Sequence, residues 1–426
     1  RINPAENPET LMPTESAVKS PLLPVDEAMT RILNGLPQKP PETISVLDAH
    51  GRVLAEPLRS GMTLPSRALS AMDGYAVRAV DCAKTPANLV RVGEAAAGHP
   101  WTGKLDAGQA VRIFTGGVVP DGADAIILQE DVDATAEADG AELMIREVAQ
   151  AGKYIRPAGL DAKAGDLLLD AGMTLSARGI SLALATGNLS VVCKPQPIVG
   201  VLSTGDELVK PGETPGPGQI ISSNAFYLQA FIRACGGKAV DLGIARDRPG
   251  ALRDAVEATD EPLDLIVTTG GASVGVHDHV VDDLGQKGSH LNFWKIAMRP
   301  GKPLIFGMLG DVPLLGLPGN PVSSAVCALV FLQPAIAHLA GANFAPEIFS
   351  AQLDVALPEN DQRQDYLRAR LEETDDALPL IIPAQKQDSS MISVFANSTC
   401  LLIRPPFDPA RQPGDIVTAM TIPPLL

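Results

Sequence analysis

The chain has 426 residues, 45% of them apolar and 20% charged, with a formal net charge of −16. That length exceeds what one hydrophobic core supports, so roughly two to four domains are expected, and the composition is globular rather than disordered. The acidic balance argues against a general nucleic-acid binder and requires that any phosphate-bearing ligand be met by locally concentrated Lys, Arg or metal.

No apolar run reaches the roughly 18–20 residues of a membrane span. The first residues, Arg1 to Ser20, are polar and Pro-rich, begin without Met and lack the charged-then-apolar order of a signal sequence. They read as a loose, trimmed tail. Five cysteines (Cys82, Cys193, Cys235, Cys327, Cys400) are scattered and never form a C-x-x-C pair. This pattern fits a reducing cytoplasm and argues against a structural zinc site.

Taken in order, Val25 to Leu36 has helical spacing and is followed by the break Pro37 to Pro41. Short pieces around Gly51 lead into a loop from Pro65 that ends in a strand at Val77. Residues 88–150 read as a small β domain, with runs at Leu89–Val92, Ala110–Phe114, Ala125–Leu128 and Leu143–Ile145 separated by Gly- and Pro-rich turns. A helix from Ser176 to Thr186 stops at Gly187.

From Pro197 strand and helix alternate: Ile198–Leu202, a helix Ala225–Ala234 capped by Ser223 or Asn224, Ala239–Leu242, a helix Pro249–Thr259, and Leu265–Thr268. This βαβαβ order predicts a doubly wound, largely parallel sheet over 197–340, with ligands beyond the carboxyl ends of its strands. After Pro346 the alternation gives way to short strands, read as a small β-barrel or sandwich. No fixed-period repeat is visible.

The chemistry concentrates between Asp264 and Ser324. A buried strand runs into Thr269-Gly270-Gly271-Ala272-Ser273-Val274-Gly275, small residues that let a ligand approach backbone N–H groups. Lys295, Arg299 and Lys302 follow, then Leu317-Pro318-Gly319-Asn320-Pro321-Val322-Ser323-Ser324, where Asn320 caps and Pro321 opens a helix. Glycine turn, cations and helix N-terminus together describe an anion site.

Acids fall at the same sheet edge. Asp206-Glu207 after the first strand either hold a hard cation or begin a polar loop. Asp247 after the second strand either joins them or caps a helix. Asp278 follows the third, and the convergence of three strands on one edge favours a site.

Several familiar motifs are excluded. The glycine loop is neither a Walker A loop, since no Gly-Lys-Ser/Thr follows, nor a dinucleotide fingerprint. Gly271-Ala272-Ser273-Val274-Gly275 matches G-x-S-x-G letter for letter, but a nucleophile elbow opens a helix at once and this segment does not. His277 and His279 lack a third histidine and read as a surface loop. Asp73-Gly74, taken alone, reads as a turn.

Jointly, the stretches Ser70–Ala76, Arg112–Asp124, Arg156–Asp161, Ser203–Pro211, Gly218–Asn224, Thr269–Asp278, Phe293–Gly307 and Leu317–Ser324 resemble, in order and spacing, the MoeA-type molybdopterin molybdenumtransferases, the family of the gephyrin E domain. The match spans about 22–340, and the C-terminal part resembles the family more loosely. The resemblance implies insertion of molybdate into adenylylated molybdopterin with release of AMP, assisted by Mg²⁺ or another divalent cation.

The resemblance further implies a multidomain α/β plus β fold. The parts are an N-terminal tail (1–21), a discontinuous, elongated linker domain (22–60 and 155–195), an inserted β-rich domain (61–154), a central doubly wound MogA-like α/β domain (196–343) and a C-terminal β-barrel (346–426). A homodimer, with the cleft between the α/β domain of one subunit and the inserted domain of the other, is expected. So is transient contact with a MogA-type adenylyltransferase and with molybdoenzyme-maturation proteins.

By that resemblance Asp73, Glu207, Asp247, Asp278, Lys295 and Arg299 are the catalytic candidates, and Asp206, Glu207, Asp247 and Asp278 the metal candidates. Thr115, Arg156 and Asp161 would contact substrate from the inserted and linker domains. Thr204, Gly205, Gly270, Gly271, Ser273, Gly275, Lys302, Pro318, Asn320, Pro321 and Ser323 would do so from the α/β domain, and Arg368 and Ser390 from the tail. Pro318 and Pro321 would shape a molybdate pocket.

Some positions depart from the family. Arg299 stands where many members carry Lys, exchanging a point charge for a bidentate fork. Gln387-Asp388-Ser389-Ser390 replaces a common Gln-Gly-Ser, putting an acid near an expected anion contact, and Gly116-Gly117 replaces Gly-Ala. Two alternatives to the insertase stand beside it: a non-catalytic molybdopterin-binding or scaffold paralogue, and an ATP-dependent adenylyltransferase.

Overall fold

The structure, a computed structural model, describes residues 22–271, 279–285, 289–374 and 378–424. Two compact units form, one from residues up to Pro40 together with those from Pro195 onward, the other from Pro41–Lys194.

In the larger unit the alternation read from the sequence becomes a six-stranded sheet. Its order is Lys238–Ala245, Ile198–Thr204, Leu265–Thr269, Val312–Leu317, Ile305–Leu309, Ser289–Trp294. The first four strands are mutually parallel, Ile305–Leu309 runs antiparallel to Val312–Leu317, and Ser289–Trp294 runs antiparallel to Ile305–Leu309 in turn. The three inner parallel strands are buried almost along their whole length because helices cover both faces, whereas the edge strand Lys238–Ala245 carries Lys238 and Asp241. The helix expected from Ala225 starts two residues earlier, as Ser223–Ala234 with Ser222 at its N-cap. The next helix is shorter than expected, Ala251–Glu257.

Among the described residues one helix, Pro321–Leu339, has the length and mean hydropathy (1.7) of a membrane span, contrary to the sequence expectation. It was hidden because Ser323, Ser324, Gln333 and Pro334 interrupt the apolar run, while a π-helical turn at Ala328–Leu332 keeps the helix continuous. Its side chains Val322, Val326, Phe331 and Ile336 lie in the core, and 78% of its apolar window is buried.

The helix Val25–Asn34 packs into this larger unit. It buries Val25, Ala28 and Ile32 in the same core as Phe293 and Phe306.

The tail forms a closed five-stranded barrel: Gln364–Glu372, Leu380–Pro383, Ile348–Leu353, Ile416–Thr421, Cys400–Arg404 and back to the first. Closure leaves no free edge among these five strands.

The smaller unit holds a mixed six-stranded sheet of order Ala125–Leu128, Gly74–Val77, Gln109–Ile113, Ala87–Ala95, Glu142–Ile145, Val132–Ala134. Beside it, Glu42–Ser45 pairs with Ser190–Cys193 and Leu58–Arg59 with Leu167–Leu169. These pairs share a separate core of Val46, Leu54, Leu175 and Cys193. The helix Ala177–Ala185 starts where Ser176 Oγ accepts the Gly179 N–H.

Candidate functional site

The carboxyl ends of the four parallel strands open onto one cavity of about 460 Å³. That size is ordinary for a small-molecule site. Each strand contributes its own turn.

After the strand Ile198–Thr204, Gly205 takes φ +142°, and a Cβ there would lie 2.4 Å from Glu207 Oε2, so the Glu207 carboxylate folds back over the glycine. After Lys238–Ala245 comes Asp247. The Asp206 N–H donates to Asp247 Oδ2 at 3.4 Å and the Asp247 N–H to Asp206 Oδ1 at 3.3 Å, so the two loops clasp each other. Arg246 Nη1 donates to the Asp206 carbonyl at 3.0 Å and completes the clasp.

After Leu265–Thr269, Gly270 and Gly271 both take positive φ. A Cβ on either would meet Thr204 Oγ1 at 2.8 Å, and that hydroxyl is itself buried without a hydrogen-bond partner. Only glycine permits backbone to pass so close to the neighbouring strand end. After Val312–Leu317, the turn Pro318–Asn320 leads into the helix that opens at Pro321.

Of the residues singled out in the sequence, Thr204, Gly205, Glu207, Asp247, Gly270, Gly271, Pro318, Asn320 and Pro321 line this cavity together. Ser323 is buried in the first turn of the helix behind it. Ser273, Gly275, Asp278 and His277 lie outside the described residues.

The three cations do not line the cavity. Lys295 takes φ +73° with Nζ 3.7 Å from the Trp294 ring centroid, and Lys302 is exposed. Arg299, 45% exposed, lies against the edge of the barrel, where it pairs with the buried Asp365 and with Asp361. Nor is the helix N-terminus free: the Val322 N–H donates to the Ser389 carbonyl at 3.0 Å, and Asn320 Nδ2 to Ser389 Oγ at 2.9 Å.

In the barrel Arg368 is buried, with its N–H bonded to Gln387 Oε1, Nη2 on the Asp388 carbonyl at 3.0 Å, and Nε without a partner. Burial pushes its guanidinium below its usual range. The departure at Asp388 has a local consequence. Its Oδ1 accepts both the hydroxyl and the N–H of Ser390, at 2.6 and 2.8 Å, which holds the Asp388 carboxyl below the usual range.

Within the smaller unit, Asp73 Oδ1 accepts the Thr115 N–H at 2.7 Å and the Thr115 hydroxyl at 2.8 Å. The backbone bond first, then the hydroxyl, holds the Asp73 carboxyl below its ordinary range. Arg112 lies against the rings of Tyr75 and Phe114, 5.1 and 4.7 Å from their centroids. Arg156 is exposed on a two-residue strand paired with Leu69–Ser70, and Asp161 is exposed, its N–H on the Leu64 carbonyl.

Sequence reasoning passed over several cavity residues. Asn224, read only as a cap, donates from Nδ2 to Thr269 Oγ1 at 2.9 Å and to the Gly319 carbonyl at 2.8 Å. Ser222 Oγ pairs with Ser203 Oγ at 2.8 Å, and Ile220 and Ile221, on a strand parallel to Leu208–Val209, supply an exposed apolar wall. The signal for the wall was two adjacent isoleucines in a Gly- and Pro-rich loop.

Among the described residues no three His, Cys, Asp or Glu side chains gather as a metal cage. Glu207 and Asp247 nevertheless present two carboxylates to the cavity. That donor set suits Mg²⁺, which keeps several waters and takes further oxygens from substrate phosphates.

Three family models match the chain: the MoeA N-terminal region (domain I and II) over residues 23–187, a probable molybdopterin binding domain over 200–338, and the MoeA C-terminal region (domain IV) over 350–422. A molybdopterin molybdenumtransferase of Haemophilus influenzae is 36% identical over 388 residues, covering 90% of this chain and 94% of the relative. One from Nostoc is 31% identical over 98% of this chain and 97% of its own length. The solved structure of a molybdopterin biosynthesis MoeA protein from Pyrococcus horikosii superposes with a TM-score of 0.78 at 28% identity, covering 94% of this chain and 99% of that one. On this evidence the chain belongs to the MoeA family of molybdopterin molybdenumtransferases.

Proposed function

We propose that this enzyme acts in molybdenum cofactor biosynthesis as the insertase: it takes adenylylated molybdopterin and molybdate, places the metal on the dithiolene and releases AMP. One observation carries the reading. The glycine turns, the apolar Ile220–Ile221 wall and two carboxylates, Glu207 and Asp247, meet in one cavity beyond the parallel strands.

The turns let a pyrophosphate approach backbone, the apolar wall suits a flat pterin or adenine ring, and the carboxylates suit a divalent ion. Mg²⁺, or another divalent ion, held by Glu207 and Asp247 would supply charge neutralisation at the pyrophosphate when bound. The chain's own groups bind and orient: Asn224 fixes the two turns that flank the ligand, and Glu207 and Asp247 position water at the phosphate. Asp73, whose carboxyl Thr115 holds below its ordinary range, and the exposed Arg156 and Asp161 are proposed as the functional residues of the smaller unit, and Asp278 as a further member of the acid set. A homodimer in the cytoplasm, with transient contacts to a MogA-type adenylyltransferase and to molybdoenzyme-maturation proteins, is part of the same proposal.

The deciding measurement is AMP release by purified protein given adenylylated molybdopterin and Mg²⁺, with and without molybdate. Molybdate-dependent release that Asp247→Asn abolishes is the expected result. Tight binding without molybdate-dependent AMP would leave a carrier or scaffold instead.

A further inference from the structure

Arg299 ties the cavity wall to the barrel. Met298–Arg299 runs parallel to Gln364–Asp365, with Arg299 in register with Asp365. Its Nη2 donates to Asp365 Oδ2 and, at 3.1 Å, to Asn360 Oδ1, while Nη1 faces Asp361 Oδ2 at 3.4 Å. The Asp365 side chain is only 2% exposed, and its second oxygen is buried without a partner. Asn360 cannot turn away, because its Nδ2 donates to the carbonyls of Arg363 and Pro405 at 2.8 and 2.9 Å. A buried carboxylate held in this way is a costly arrangement, and it engages both terminal nitrogens of Arg299, although the side chain stays 45% exposed.

The segment leading from this anchor to the cavity is stiff. The Ile296 N–H donates to the Lys302 carbonyl at 2.9 Å and the Lys295 N–H to that of Leu304 at 3.0 Å. Gly301, at φ +122°, lies against Cys327, whose Sγ would be 2.5 Å from any added Cβ. Pro303, two residues on, lines the cavity.

We propose that Asp365, with Asn360, is a positioning residue for the cavity. Through Arg299 it fixes the segment 295–303, and with it the Pro303 wall and the places of Lys295 and Lys302. Arg299 then acts as a strut rather than as a ligand of the substrate. The inference rests on reading the cavity as the molybdopterin site, and it makes a prediction of sign. If Arg299 were a substrate contact, neutralising Asp365 would free the guanidinium and tighten binding; as a strut, the same change loosens the wall and weakens it.

The test uses the full chain and two readouts, molybdopterin affinity and amide hydrogen exchange at Lys295 and Ile296. In Asp365→Asn, molybdopterin binding is expected to weaken about tenfold or more and both amides to exchange faster by a similar factor, the loss of one charge-assisted hydrogen bond. Arg299→Lys should move both the same way, because a shorter side chain with one nitrogen lacks the fork whose two terminal nitrogens span Asp361, Asn360 and Asp365. Leu353→Ala, which opens the barrel core, controls for general softening: it should lower Tm yet leave both readouts near wild type.

Unchanged or tighter binding in Asp365→Asn overturns the proposal, as does Leu353→Ala reproducing both effects at an equal loss of Tm. If the wild-type chain fails to bind molybdopterin, the cavity reading falls, and the exchange rates still decide whether Asp365 anchors the segment.

Discussion

Asn224 Nδ2 donates to the carbonyl oxygen of Gly319 at 2.8 Å, joining the first turn of one helix to the turn that opens another. The same amide reaches Thr269 Oγ1, so one side chain holds two of the four strand-end turns in register. Asn224→Ala should cost about 1 kcal/mol of stability and weaken molybdopterin binding more than it slows turnover. Asn224→Asp should be worse, since it turns an oxygen toward the Gly319 carbonyl. Thermal unfolding and a binding titration on both variants check the order.

Gly270→Ala should be severe. The backbone there has φ +95° and an added Cβ would sit 2.5 Å from the Thr204 carbonyl oxygen, which is part of the sheet and cannot yield. Strain and overlap together should destabilise the protein by about 2–4 kcal/mol. At Gly172, where nothing lies within 4 Å, Ala meets only the conformational penalty of φ +84° and should cost clearly less. Urea unfolding of the pair separates the two contributions.

Asp73 titrates below its ordinary range because Thr115 donates to it twice, from backbone and from hydroxyl. A depressed folded-state value means that the stabilisation is present above the ordinary carboxylate pKa and is lost as pH falls through the folded value. Thr115→Val removes only the hydroxyl bond, so the Asp73 pKa should rise part of the way back, as followed by carboxyl NMR. If ionised Asp73 serves the reaction, the acid limb of the pH–rate profile should move up with it.

The thiols should be inert in the folded protein. Burial pushes Cys82 and Cys400 up to about 11 and Cys235 up to about 12, and raises Cys193 and Cys327 as well. At pH 8 each is overwhelmingly protonated, and a thiol reagent should label the native chain slowly and all five cysteines only after denaturation. Rapid native labelling of Cys327 would contradict the packing described for the helix Pro321–Leu339.

Much of the architecture was legible in the residues. Continuous β-branched runs such as Leu265–Thr269 specify strands buried on both faces, and the turns at Gly205 and Gly270–Gly271 mark where those strands must end. The strand–helix alternation then places Glu207 and Asp247 at one edge, because parallel strands point their carboxyl ends the same way.

What only the tertiary structure decided is which neighbours a polar side chain meets. Arg299 reads as a free cation in sequence, yet the barrel strand Gln364–Glu372 and the loop before it bring Asp365 and Asn360 to it. The helix N-terminus at Pro321 reads as an anion site, yet Ser389 arrives to take the Val322 N–H. Asn224 reads as a cap and proves to be a cross-cavity tie. Hydrophobic periodicity and turn chemistry are local and can be read along the chain. Hydrogen-bond partners are assigned only when distant segments come within about 3 Å, and that proximity depends on the packing of the whole unit.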